Sequence, residues 1–379
     1  MKPNSLKIAV LIHPLRYWGG AQYHLRELLN LFPEADLWTA WYNKAFVKQY
    51  FGDKNIKTSF LQWLPFKERL HQELIVLHPL AYYSMNLKKY DLVIVVSDGF
   101  EKWIRVGKQS KLILNVLTPA RFLWLETRTI KNSTKWTYKI YETLFKQPLH
   151  AFWKKFDYFF AQKADLIISI SSAVAERVKQ YWHRDSVVIF PPTPFHQVKF
   201  NPDLKSREDW YLYLGGVETY KGVELAIRAC AKGGFKLKVV GGGQDLERMK
   251  ILVNELGVQD KIEFTGRYQD EQKTEALYKC KALILPARDE DFGITYVEGI
   301  AAGAPVIAYK GGGALDILSE NPRTGVFFDE YSEEGVLNAI KSLSQYSIDP
   351  QLLKARAESL FSVEQFQTKM KSTINGLIK

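Results

Sequence analysis

Short apolar runs that read as buried strands recur along the chain, with helical stretches between them, in two series. The first is Lys7–Ile12, Leu37–Ala40, Leu92–Ser97, Leu112–Leu117, Leu166–Ile170 and Val187–Phe190. The second is Tyr211–Leu214, Lys236–Val240, Lys261–Thr265, Ala282–Leu285 and Pro305–Tyr309. Many are continuous rather than alternating, the pattern of parallel strands covered by helices on both faces. Strand–helix–strand order repeated in two series implies two α/β domains. Between the series stands Pro191-Pro192-Thr193-Pro194, followed by polar Asn201–Asp209. Proline cannot continue a strand ladder, so the boundary is expected within 191–209. The reading is a first domain over 1–195, a second over 205–360 and a closing segment over 361–379. Phe366, Met370, Ile374 and Leu377 give that last segment one apolar helical face, expected to pack back toward the first domain. Open parallel sheets bind ligands at the carboxyl ends of their strands, so a cleft between the two domains is the expected site.

Composition narrows the function classes. With 46% hydrophobic and 25% charged residues among 379, the chain is globular rather than disordered. Cys230 and Cys280 are the only cysteines, too few for a disulfide framework and not spaced as a metal knuckle. No apolar run reaches the length of a membrane span, and Met1–Val10 lacks the pattern of a signal peptide. A cytoplasmic location is expected. Residues 1–200 hold 29 Lys+Arg against 15 Asp+Glu, and residues 201–379 hold 23 against 26. The first half should therefore attract anions.

The densest motif runs from Leu285 to Ala308. A strand ends at Leu285, an acidic loop carries Glu290, a helix begins near Ile294, and Pro305 opens the next strand. Gly293 lets the backbone approach a ligand, and the N–H groups of residues 293–295 form a site for phosphate oxygens. Glu290 is suited to sugar hydroxyls and Glu298 to the two hydroxyls of a ribose. Lys221 stands where the strand at 211–214 turns into a helix, a position the helix dipole disfavours for a cation unless an anion compensates it. Gly19 and Gly20 open the helix after the first strand, where close approach of a ligand is again allowed.

Glu290–Glu298, with the following Ala-Ala-Gly-Ala-Pro-Val-Ile-Ala and Gly311–Gly313, resembles the Glu-x7-Glu motif of retaining glycosyltransferases of family GT4. The resemblance implies the GT-B fold, two Rossmann-like α/β/α domains facing across a cleft, with the donor nucleotide sugar held by the second. It implies Glu298 on the ribose, and Glu290 and Lys221 as catalytic residues, Lys221 neutralising the diphosphate. The backbone of Phe292, Gly293, Ile294 and Thr295 would meet sugar and diphosphate, Arg267 and Tyr268 would lie beside the base, and Gly19 and Gly20 against the diphosphate. Thr118-Pro119-Ala120-Arg121 is similar to mannosyltransferase-like members of surface-polysaccharide pathways. It makes GDP-mannose the first expected donor, with UDP- and dTDP-sugars open. Arg16 and Arg121 are acceptor or phosphate candidates. Two positions depart from the pattern: Gly216 where an arginine is expected, and Leu117 where a histidine is expected. They support an alternative, a GT-B protein that binds nucleotide with weak or no transfer.

The implied partners are a nucleotide sugar and a glycan or polyprenyl-diphosphate-linked acceptor, with no cofactor. No metal is expected, since the histidines form no ligand spacing. Arg121–Lys163 interleaves aromatic with basic residues (Trp136, Tyr138, Tyr141, Phe145, Phe152, Trp153, Phe156 and Phe160 among Lys135, Lys139, Lys146, Lys154 and Lys155). This suits peripheral contact of the first domain with an anionic membrane, or two core helices with solvated lysines. Without a recognition motif, nucleic acid is not an expected partner.

Overall fold

The computed structural model describes residues 6–71, 73–125 and 136–378, with side chains except at 136–148 and 196. Its contacts divide into two compact units, residues 1–192 with 366–379, and residues 193–365.

In the first unit the strands are β1 (Ile8–Ile12), β2 (Asp36–Thr39), β3 (Ile56–Thr58), β4 (Asn86–Leu87), β5 (Leu92–Ser97), β6 (Arg105–Val106), β7 (Lys111–Val116), β8 (Leu166–Ser169) and β9 (Val187–Val188). Seven of them form one sheet in the order β3-β2-β1-β5-β7-β8-β9, all pairs parallel, and β4 pairs with β6 apart from it. All six residues of β5 are buried, which is why the strand is continuously apolar. The helices are α1 (Gly20–Leu31), α2 (Lys44–Phe51), α3 (His78–Ser84), α4 (Arg121–Trp124), α5 (Trp136–Ala161) and α6 (Ser172–Trp182). Ser171 caps α6 by accepting the Val174 N–H at 3.0 Å, a cap typically worth about 1 kcal/mol.

In the second unit the strands are β10 (Tyr211–Leu214), β11 (Leu237–Val240), β12 (Ile262–Gly266), β13 (Ala282–Leu285), β14 (Val306–Tyr309) and β15 (Gly325–Phe328). They form a parallel sheet in the order β12-β11-β10-β13-β14-β15. The helices are α7 (Val223–Gly233), α8 (Leu246–Glu255), α9 (Asp270–Lys279), α10 (Ile294–Ala301), α11 (Ala314–Ile317), α12 (Glu333–Leu343) and α13 (Pro350–Phe361). The last helix, α14 (Val363–Ile378), puts Phe366, Met370 and Ile374 into the core of the first unit, among Val10, Leu25 and Ile94.

Every strand expected from an apolar run is present, some shorter at their ends, and several were missed. β3 contains Lys57 and sits at the sheet edge, so it lacks an apolar run. β15 opens at Gly325, where a Cβ would come within 2.2 Å of the Val306 carbonyl oxygen. The aromatic-basic stretch forms the short α4 and one long α5 rather than two core helices. Trp153 and Phe160 of α5 are core residues against Phe100 and Trp103, while Phe152 and Phe159 are exposed. Lys135 and the side chains of Trp136, Tyr138, Lys139, Tyr141, Phe145 and Lys146 lie outside the described residues.

Candidate functional site

Both sheets reverse strand order at one point, between β10 and β13 in the second unit and between β1 and β5 in the first. In open α/β sheets the loops leaving the strands at such a reversal border the usual ligand position.

In the second unit the reversal carries Lys221 and Glu290. Lys221 ends a 3-10 turn at Thr219–Lys221, and Gly222 caps α7 with φ +72°. A Cβ at Gly222 would lie 2.7 Å from the Pro286 carbonyl oxygen, so only glycine lets the loop after β10 approach the loop after β13 this closely. Across that contact Lys221 Nζ donates to Glu290 Oε2 at 2.6 Å. The two side chains are 25% and 16% exposed, sheltered enough that the pair is more than a screened surface contact. Burial opposes the charge on Lys221, but Glu290 outweighs it and raises the ammonium pKa. The anion expected opposite Lys221 is thus supplied by the chain itself.

Gly293 takes φ +94° at the start of α10, and its Cβ would strike the Tyr296 ring at 2.3 Å. The first N–H groups of α10, at Ile294 and Thr295, have no acceptor within the helix and point along the positive end of its dipole. Phe292 is buried edge-on to Phe361, so only its backbone borders the loop. The glycine triplet Gly311–Gly313 braces this loop from behind. The Gly313 N–H donates to the Glu290 carbonyl at 2.9 Å, and a Cβ on Gly313 would meet the Phe292 carbonyl oxygen at 2.2 Å.

Glu298 is buried on α10, and Lys273 of α9 donates to its Oε1 at 2.8 Å. Burial opposes the Lys273 charge, and Glu298 overrides it to raise the pKa. Lys273 was missed in the sequence because it lies on another helix, 25 residues from its partner.

The loops after β10, β11 and β12 are stitched by backbone bonds. Gly215 N donates to Val240 O at 3.0 Å, Val217 N to Gly242 O at 3.1 Å and Gly241 N to Gly266 O at 2.8 Å. Gly216 lies in this stitch, and its carbonyl accepts the Tyr213 hydroxyl at 2.7 Å. Arg267 is an exposed cation beside the same stitch, its Nε 3.7 Å from where a Gly242 Cβ would stand. Tyr268 follows it, half-buried.

In the first unit, Gly19 precedes α1 in extended backbone, and a Cβ there would meet only Gln22 Oε1 at 3.4 Å. The fold itself therefore does not demand glycine at 19; Gly20 is the first residue of α1. Arg16 lies over the Tyr17 ring at 5.0 Å, and Arg121 opens α4. Leu117 is half-buried against the first unit's core. Among the described residues there is no group of three or more potential metal ligands and no helix long and apolar enough to cross a membrane.

The fold is that of the GT-B glycosyltransferases. Anabaena Alr3699/HepE, solved in complex with UDP, superposes with a TM-score of 0.70 over 98% of this chain and all of its own, at 17% identity. Residues 195–359 match the family model of glycosyl transferases group 1. An uncharacterized glycosyltransferase of Methanocaldococcus jannaschii is 28% identical over 167 residues, 42% of this chain and 45% of its own. The O-antigen chain mannosyltransferase C of Escherichia coli is 23% identical over 196 residues, 48% of this chain and 52% of its own. The chain spans about half the length of these curated relatives.

Proposed function

We propose that the chain is a retaining glycosyltransferase that moves a hexose from a nucleotide sugar to a glycan or polyprenyl-diphosphate-linked acceptor in surface polysaccharide synthesis. The observation that carries this reading is the Lys221–Glu290 pair at the strand-order reversal of the unit that matches the family model. A diphosphate on the α10 N–H groups would draw Lys221 onto its leaving oxygen and free Glu290 to orient the sugar. Stabilising that departing charge is the main task of such a site. Glu298, held by Lys273, takes the ribose, while Arg267 and Tyr268 border the base. Within the first unit, Gly19 and Gly20 at the start of α1 are the proposed backbone contacts for phosphate oxygens, and Arg16 and Arg121 are the cations for an acceptor phosphate. Arg267 supplies the second positive charge that Gly216 lacks. GDP-mannose is the proposed donor, supported by the Thr118–Arg121 segment and by the name of the Escherichia coli relative. A UDP-sugar is the second reading, favoured by the UDP in the Anabaena complex. The first unit is proposed to work as a cytoplasmic, peripheral membrane surface.

Calorimetry with GDP, UDP, dTDP and their sugars tests the reading, with Lys221→Ala beside the wild type. The expected result is selective binding of one nucleotide sugar, weakened about tenfold to a hundredfold in the variant by loss of one charge-assisted bond. Binding without nucleotide release on prolonged incubation with acceptor lipid would favour the non-transferring alternative. No binding at all would overturn both.

A further inference from the structure

The strand-order reversal of the first unit carries a polar cluster that the donor reading does not use. His13, just after β1, has Nδ1 3.1 Å from Asp98 Oδ2, just after β5. Its Nε2 is 2.8 Å from Gln22 Nε2 of α1. With Gln22 donating to Nε2, the Nδ1–H donates to Asp98. Glu101 lies beneath, 3% exposed, its Oε2 accepting the N–H groups of Gly99 at 2.7 Å and Asp98 at 3.2 Å. From α3, the fully buried Tyr82 sends a hydroxyl that has no hydrogen-bond partner, and both Glu101 and Asp98 act on its phenol. His78 Nε2 is likewise unpartnered, in the field of His13 and Asp98. A buried hydroxyl left unmatched is costly, so the fold carries an unused donor in the field of Glu101 and Asp98.

The charges decide what such a cluster takes. Asp98 keeps 37% of its side chain exposed and His13 keeps 14%, so both can meet a ligand. Lys102 cannot: it is fully buried, paired with Asp157 at 2.6 Å, and donates to Gly99 O at 2.7 Å. Arg16 is a cation that acts on His13 and opposes its charge. A phosphate would face Asp98 and Glu101, whereas a neutral hydroxyl finds a carboxylate acceptor and an imidazole beside it. We propose that His13 and Asp98 form a subsite for a neutral polyhydroxylated ligand, a sugar ring. Asp98 accepts one of its hydroxyls, with the His13 imidazole beside it. The inference rests on the transferase reading and names what its first unit takes, the acceptor sugar rather than its phosphate.

Histidine-ring NMR on the full chain tests it, with His13→Gln assigning the His13 signal. The probes are the methyl α-glycosides of mannose, glucose and galactose, and separately inorganic phosphate. At least one glycoside should move the His13 signal while phosphate does not. Asp98→Asn should weaken that glycoside's effect about tenfold or more. If Asp98→Asn does not fold, the glycoside titration of wild type against His13→Gln, followed by calorimetry, decides the same point. Phosphate moving His13 with every glycoside silent would make this an anion site, and no response to either would make the cluster purely structural; each overturns the proposal. Nucleotide-sugar binding is measured apart on the wild type. A glycoside response without any nucleotide binding would therefore sink the transferase reading and leave the subsite standing.

Discussion

Lys221 and Glu290 hold each other across two loops, and the same logic pairs Lys273 with Glu298. A carboxylate and an ammonium that are both sheltered neutralise each other, so each pair braces the elements it joins. Glu290 and Glu298 were singled out by their local spacing on one loop and helix, and Lys221 by its own strand-to-helix turn; that Lys221 meets Glu290 across 69 residues was not legible. Lys273, and the meeting of His13 with Asp98 across 85 residues, were not legible, because charge pairs between elements depend on sheet order. Glu101 offers a test at this scale. Burial, with the Asp98 charge added, pushes its pKa from 4.5 up to about 7. A carboxyl with a raised folded pKa contributes stability that is complete below pH 4.5 and lost as pH rises through about 7. Glu101→Gln keeps an oxygen for the Gly99 N–H and never ionises. Denaturant unfolding should show the variant more stable than wild type above pH 7 and equal to it below pH 4.5; a constant difference across that range would show that Glu101 does not ionise in the folded protein.

At the level of elements, the apolar runs located strands well because parallel strands are buried on both faces. They failed at β3 and β15, one interrupted by Lys57 and the other opened by a glycine that backbone packing requires. The helix α14 shows what an amphipathic face is for. Phe366 is 2% exposed and meets the His24 ring edge at 4.9 Å, and Met370 and Ile374 continue the contact into the first unit's core. Phe366→Ala should cost about 3–5 kcal/mol. Hydrogen exchange should show lost protection in β1 and α1 with the second unit's strands unchanged. Equal loss in both units would contradict the assignment of α14 to the first core.

For the molecule as a whole, charge is divided: the first 200 residues carry the entire basic excess. The first unit also exposes large aromatics, Trp63 at 85% and Phe66 at 72%, away from the stretch that the sequence singled out. Full-length protein is expected to sediment with phosphatidylglycerol vesicles at low salt and to be released as salt screens the attraction. A Trp63→Ala/Phe66→Ala double variant should bind about tenfold more weakly. Equal binding to neutral vesicles, or no effect of the double variant, would exclude this surface. Two α/β units, the strands with apolar runs and the loop of Glu290 and Glu298 were determined by the sequence itself, because apolar periodicity, prolines and local spacing act over short stretches of chain. Which loops meet at each strand-order reversal was decided only by the tertiary structure, and with it the partners of Lys221, Glu298 and His13. Parallel strands can be ordered in several ways with the same local preferences, and it is the order chosen that brings distant charges within hydrogen-bonding reach.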